Sequence, residues 1–115
     1  MPPTKTAVAE AIGLMDFDTD EMEPGDVSIN YAPRPPEEIV ACWIDAAGAP
    51  HFYSLFCTGT VPGDKPDELQ RVWVPEDREP SKPVISAIND RAGVYASRDE
   101  FRSLDGFTET PGHPL

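Results

Sequence analysis

Positive charge is what this chain has least of. Nine lysines and arginines stand against 21 aspartates and glutamates, so 115 residues carry a net charge of −12. Such a surface repels nucleic-acid phosphates and anionic membranes, and neither direct nucleic-acid binding nor a membrane partner is expected. Cysteine is scarce as well: Cys42 and Cys57 are too few for the disulfide scaffold of a small secreted domain. No apolar run approaches the ~20 residues of a transmembrane helix, and the run near the N-terminus is broken by Glu10, where a signal peptide needs an unbroken core. The expectation is a protein that is not secreted, cytoplasmic or virion-associated, with both thiols reduced.

Recognisable chemistry is also missing. There is no G-x-S-x-G elbow and no phosphate-binding loop. His51 falls in a turn after Pro50, and His113 lies between Gly112 and Pro114. A Cys57–His51 nucleophile needs its thiol at a surface, whereas the alternation of the chain puts Cys57 on the face of Leu55. The carboxylate pairs Glu37–Glu38, Asp67–Glu68 and Glu76–Asp77 are adjacent in sequence and fall at element ends, as solvation alone predicts. Asp16, Asp18 and Asp20 imitate the start of a calcium loop, but Glu21 occupies the position of the tight-turn glycine and Val27 that of the bidentate glutamate. No cofactor, metal site or catalytic residue is expected, and the chain reads as non-enzymatic.

What the sequence does contain is proline, 14 of 115 residues against a usual share of about 5%, so much of the chain is extended or turning. Apolar residues make up 39%, which limits a single domain of this length to a modest core. That core centres on residues 38–58, EIVACWIDAAGAPHFYSLFCT, where two apolar runs of strand composition flank a Gly-Ala-Pro turn and form a β-hairpin. Both faces of the hairpin are apolar, so both are covered. Pairing Ala47 with Phe52 sets Ile44 opposite Leu55 and Cys42 opposite Cys57, and brings Trp43 over Phe56 on the other face.

Around the hairpin the fold expectation is mainly β (α+β): a small antiparallel sheet of about five strands with a weak N-terminal helix and a short C-terminal helix. Residues 1–26 form an N-terminal arm, with helical spacing at Val8, Ile12 and Met15 and an acidic segment at 16–26. Residues 27–107 form the β domain, and 108–115 a C-terminal arm. Val27 to Tyr31 reads as an edge strand, the A-P-R-P-P stretch at 32–36 as a stiff connector rather than a P-x-x-P ligand, 59–66 as a turn-rich loop and 68–74 as a further strand. Residues 83–97 fit either a helix with Val84, Ile88 and Ala92 on one face or a second hairpin turning through Asn89 to Gly93. The strand formers Val, Ile and Tyr favour the hairpin. Ser97 with Glu100 is a capping box that opens a brief helix, placing Phe101 and Leu104 on the sheet.

This composition points to a protein-interaction or structural accessory subunit that docks on a larger protein assembly, for which a viral or phage origin is one fit. Trp43 and Phe56 form the expected interaction face, as an exposed aromatic pair suits a binding anchor. The alternative is an acidic inhibitor or immunity-type protein that presents Asp16, Asp18, Asp20 and Glu21 to the basic site of a nucleic-acid-binding enzyme. A small enzyme of unknown class is the third reading.

Overall fold

The computed structural model describes residues 19–32 and 37–110. The expected N-terminal helix, Asp16, Asp18 and the prolines at 33, 35 and 36 lie outside them. Strands β1 (Val27–Ala32), β2 (Glu38–Ile44), β3 (Pro50–Pro62) and β4 (Leu69–Pro75) are followed by helix α1 (Lys82–Arg91) and strand β5 (Val94–Tyr95). A single 3₁₀ turn (Phe101–Ser103) and the short strand β6 (Thr108–Glu109) complete the described chain. The fold is mainly β, as expected, with a sheet of order β1-β2-β3-β4-β5. Pairing is antiparallel except between β4 and β5, which run parallel because α1 carries the chain across between them. β6 pairs with the second half of β3, at Gly59 and Thr60, and so continues the line that β2 occupies along the first half.

The hairpin exists, but its register differs from the expected one. Ile44 pairs with Pro50, so the loop is the five residues 45–49, Cys42 faces Phe52, and Trp43 faces His51. Turn chemistry explains the shift. The Asp45 carboxylate accepts hydrogen bonds from the Ala47 and Ala49 amides, both at 2.9 Å, and Gly48 takes φ +87°, which glycine adopts without strain. Because side chains alternate along a strand, moving the partner of each β2 residue by an odd number of places exchanges faces. Cys42 and Cys57 therefore lie on opposite faces of the sheet, as do Trp43 and Phe56.

One face carries Ile39, Ala41, Tyr53, Leu55, Cys57 and Trp73, packed against Val84 and Ile88 of α1. On the other, Val40, Cys42 and Ile44 cluster with Met22 and Phe52, and further along Val61, Val72 and Val74 are covered by Ala96, Phe101, Leu104 and Phe107. Both faces of the hairpin are thus buried, as its composition implied. Phe101 and Leu104 do pack on the sheet, although the expected capping box does not form: the Ser97 hydroxyl donates to the Glu100 carboxylate, and the segment is one 3₁₀ turn without a side-chain cap rather than an α-helix.

Residues 83–97 hold a helix and a short strand instead of the favoured hairpin. Pro83 stands in the first turn, where its missing N–H costs nothing. Val84, Ala87 and Ile88 bury one face, and Gly93 at φ +145° turns the chain into β5. Burial of that apolar stripe outweighs the strand preference of Val and Ile. The loop expected at 59–66 is likewise shortened, since β3 runs through Gly59 to Pro62 past a bulge between Cys57 and Gly59.

Candidate docking cleft and its polar rim

Helix α1 is fastened to the sheet near its C-terminal end. The Trp73 indole N–H donates to the Ala92 carbonyl oxygen at 2.8 Å, and Arg91 Nη1 donates to the Val27 carbonyl oxygen at 3.1 Å. Trp73 itself is 1% exposed, so its indole is a fixed part of the core. Beside these two ties, β1, β4 and the end of α1 enclose a cleft of about 500 Å³. Val27, Ile29 and Ile39 with Trp73 make its apolar lining, and Tyr31, Arg71 and Arg91 its rim.

The rim is organised by Glu37, the residue before β2. Arg71 grips it with both arms of the guanidinium, Nε donating to Oε2 at 3.1 Å and Nη2 to Oε1 at 3.3 Å. The Tyr31 hydroxyl donates to the same Oε1. The Arg71 hydrogen bonds hold the Glu37 carboxyl below the usual carboxylate range, with the Tyr31 bond assisting and burial opposing. Arg71 is raised in return by the Glu37 carboxylate. Tyr31 is 45% exposed, yet its hydroxyl end is turned in to Glu37, and desolvation followed by that hydrogen bond raises its pKa. The Tyr31 ring meets Trp73 edge to face, with centroids 6.0 Å apart and planes at 88°. Arg71 and Tyr31 also touch through the guanidinium, 5.8 Å from the ring centroid. Behind this group Cys57 is 4% exposed. Burial pushes its thiol up, and Sγ donates to the Gly59 carbonyl oxygen at 3.5 Å.

These states decide what the cleft can do. Glu37 is ionised and already accepts three hydrogen bonds, while Tyr31 and Cys57 are held in their protonated forms. None of the three is set up as a base or a nucleophile at neutral pH. What the rim offers is guanidinium N–H donors beside an apolar lining, which is an arrangement for binding.

The residues singled out from sequence are distributed differently. Trp43 is half-buried on the cleft face, directly opposite Val27 of β1. Its ring lies 5.0 Å from that of His51, whose Nε2 is 2.8 Å from Asp45 Oδ2. That imidazole hydrogen bond and the two backbone bonds keep the Asp45 carboxyl below its ordinary value. His51 and Cys57 share a face but stand six residues apart on one strand, about 20 Å, so they form no dyad. Phe56 is half-buried on the opposite face, paired with Glu38 and Val74. Asp20 and Glu21 are exposed in the turn before β1. The same acidic stretch is partly structural: Met22 packs on the second apolar cluster, and the Asp26 carboxylate accepts the Glu23 amide at 2.9 Å. Among the described residues, no group of three His, Cys, Asp or Glu side chains is placed to hold a metal ion. In the same residues no helix is long and apolar enough to cross a membrane.

Sequence reasoning passed over Tyr31, Glu37, Arg71 and Arg91. Arg71 left a trace, as a charge in phase with the buried Trp73 on an otherwise apolar strand; Arg91 left none. Comparison of the chain with protein families, with characterised proteins and with solved structures yields no match.

Proposed function

We propose that the protein is a non-enzymatic interaction subunit that docks on a larger protein assembly through the cleft between β1 and α1. The observation that carries this reading is the cleft itself. It is an apolar concavity of about 500 Å³ beside the terminal strand of the sheet, with a 45%-exposed tyrosine and two arginines on its rim. Concave apolar sites with a few fixed polar groups are where proteins take up ligands and partner segments, and tyrosine and arginine are the residues that most often anchor interfaces. Trp43, on the same face, extends this surface past Val27. Phe56, on the other face, belongs to a different one. The net charge of −12 argues against nucleic acid as the direct partner.

The test is alanine substitution at Tyr31, which is 45% exposed on the cleft rim. Tyr31→Ala should weaken binding to an affinity-captured partner by about 2 kcal/mol or more, the order of an interface hot spot, while the melting temperature changes little. Phe56→Ala should leave the affinity unchanged. Equal affinity of wild type and Tyr31→Ala for the captured partner would place the docking surface elsewhere.

A further inference from the structure

If the cleft is a docking site, its chemistry specifies what it takes, and we propose that the occupant is a short peptide segment of a partner protein in which a large apolar side chain adjoins a carboxylate. This inference rests on the docking reading above and adds the identity of the segment.

The two arginines on the rim are in different electrostatic situations. Arg71 is matched by Glu37, which takes donors from both Nε and Nη2. Arg91 gives one N–H to the Val27 carbonyl oxygen, a neutral acceptor, and no carboxylate of the described residues lies within ion-pair distance of it. A guanidinium carries five donors in a planar fork, so Arg91 retains donors of the right geometry for a second, charged acceptor, and Arg71 retains its Nη1. With Glu37 counted, the rim holds, among the described residues, one uncompensated positive charge beside an apolar lining. A carboxylate satisfies that charge with short, charge-assisted hydrogen bonds, whereas a lysine or arginine in the same place meets two guanidinium groups. The apolar lining of Val27, Ile29, Ile39 and Trp73 asks for an apolar side chain next to it. Because β1 ends the described sheet, a segment in the cleft lies along that strand in the extended form peptides adopt beside sheet edges.

The charge of the whole chain makes this specificity distinctive in solution. A net charge of −12 repels an acidic segment at long range, while the arginines act at contact. Exposed charges are screened beyond ~10 Å at 0.1 M salt, so salt removes the repulsion first. Association should therefore become faster, not slower, between about 10 and 100 mM salt.

The experiment is selection of random 12-residue peptides displayed on phage against the full chain, followed by amide chemical-shift mapping with the synthetic winners. The expected consensus pairs Leu, Ile, Phe or Trp with Asp or Glu, and the shifts map to β1, Trp73 and Ala92. Exchanging the peptide's Asp for Asn, or Glu for Gln, should weaken binding about tenfold or more, the worth of a hydrogen bond between charged groups. Arg91→Gln should do the same, and Arg91→Lys should recover part of it. The peptide exchange carries the test even if the Arg91 variants loosen α1. Peptides that map to the cleft without a shared acid, or that tolerate the amide exchange, overturn the acidic specificity and leave the docking reading standing. Shifts that map elsewhere, or failure to select any peptide, overturn both.

Discussion

Gly59 sits where β3 is held from both sides, paired with Val72 of β4 and with Glu109 of β6. A Cβ built there lies 2.2 Å from the Thr108 carbonyl oxygen and 2.6 and 2.8 Å from two atoms of the Phe107 ring. The nearest of these is backbone, so no rotamer change relieves the clash, and Gly59→Ala forces β6 away from β3. What is then lost can be added up. The β3–β6 ladder goes, together with the Thr110 amide bond to the Thr58 carbonyl at 2.8 Å. So does the edge contact of Phe107 with Phe101, whose centroids are 5.7 Å apart. Two or three hydrogen bonds at about 0.5–1.5 kcal/mol each and an aromatic pair of similar worth give a loss of about 1.5–6 kcal/mol. Urea unfolding followed by tryptophan fluorescence measures the total. Hydrogen exchange locates it: the Thr110 amide should lose its protection in the variant, while the amides of β2 keep theirs. A Gly59→Ala protein within about 0.5 kcal/mol of wild type, with Thr110 still protected, would refute the bulge and the placement of β6.

Cys42 and Cys57 are 0% and 4% exposed on opposite sides of the sheet, so a thiol reagent should label neither faster than the protein unfolds, and a mild oxidant should not link them in the folded monomer; a native mass two units lower after oxidation would overturn the observed register. The Glu37 carboxyl, depressed chiefly by Arg71, contributes stability that is fully present above its unfolded pKa of about 4.3 and is lost as pH falls through its lower folded value. The stability difference between wild type and Arg71→Gln should therefore be largest above about pH 4.5 and shrink on acidification, and a pH-independent difference would show that Arg71 acts through packing alone.

The sheet was legible in the sequence where apolar alternation was strong, and its register was not. Strands β1, β2 and β4 fall within a residue or two of where composition put them. The hairpin loop turned on one side chain, Asp45, which draws the turn to itself by accepting two amides, an effect invisible to a reading that balanced apolar faces. The Asp, Ala and Gly of the loop are ordinary turn residues in several registers, and only the position of the carboxylate chooses among them. In α1 the same weakness appears in another form. Val84 and Ile88 are strand formers by propensity, and they become helical because the apolar face of the sheet, Ile39 and Ala41 of β2 included, is there to bury them. The cleft was least legible. Its parts come from β1, the residue before β2, β4 and the end of α1, and no local pattern in the chain announces that Glu37 and Arg71 will meet.

The cleft follows from the curl of the sheet. Two strands separate β1 from β4 in the sheet order, yet Tyr31 of β1 meets Trp73 of β4 with ring centroids 6.0 Å apart, and Glu37, just before β2, is bonded to both Tyr31 and Arg71. On the opposite face irregular chain covers the apolar clusters, with Met22 at one end and residues 96 to 107 at the other. On the helix face α1 is joined by Tyr95, which packs against the same cluster as Val84 and Ile88, and by Arg78, whose guanidinium lies 4.6 Å from the Tyr53 ring centroid. Val27 and Ile29 of β1 line the cleft beside the end of α1, where Arg91 is bonded to the Val27 carbonyl oxygen. Under the proposed docking role, a segment entering this cleft meets a lining already fixed by the core, and its binding costs the cleft little conformational entropy, because Trp73 and the end of α1 are held in place.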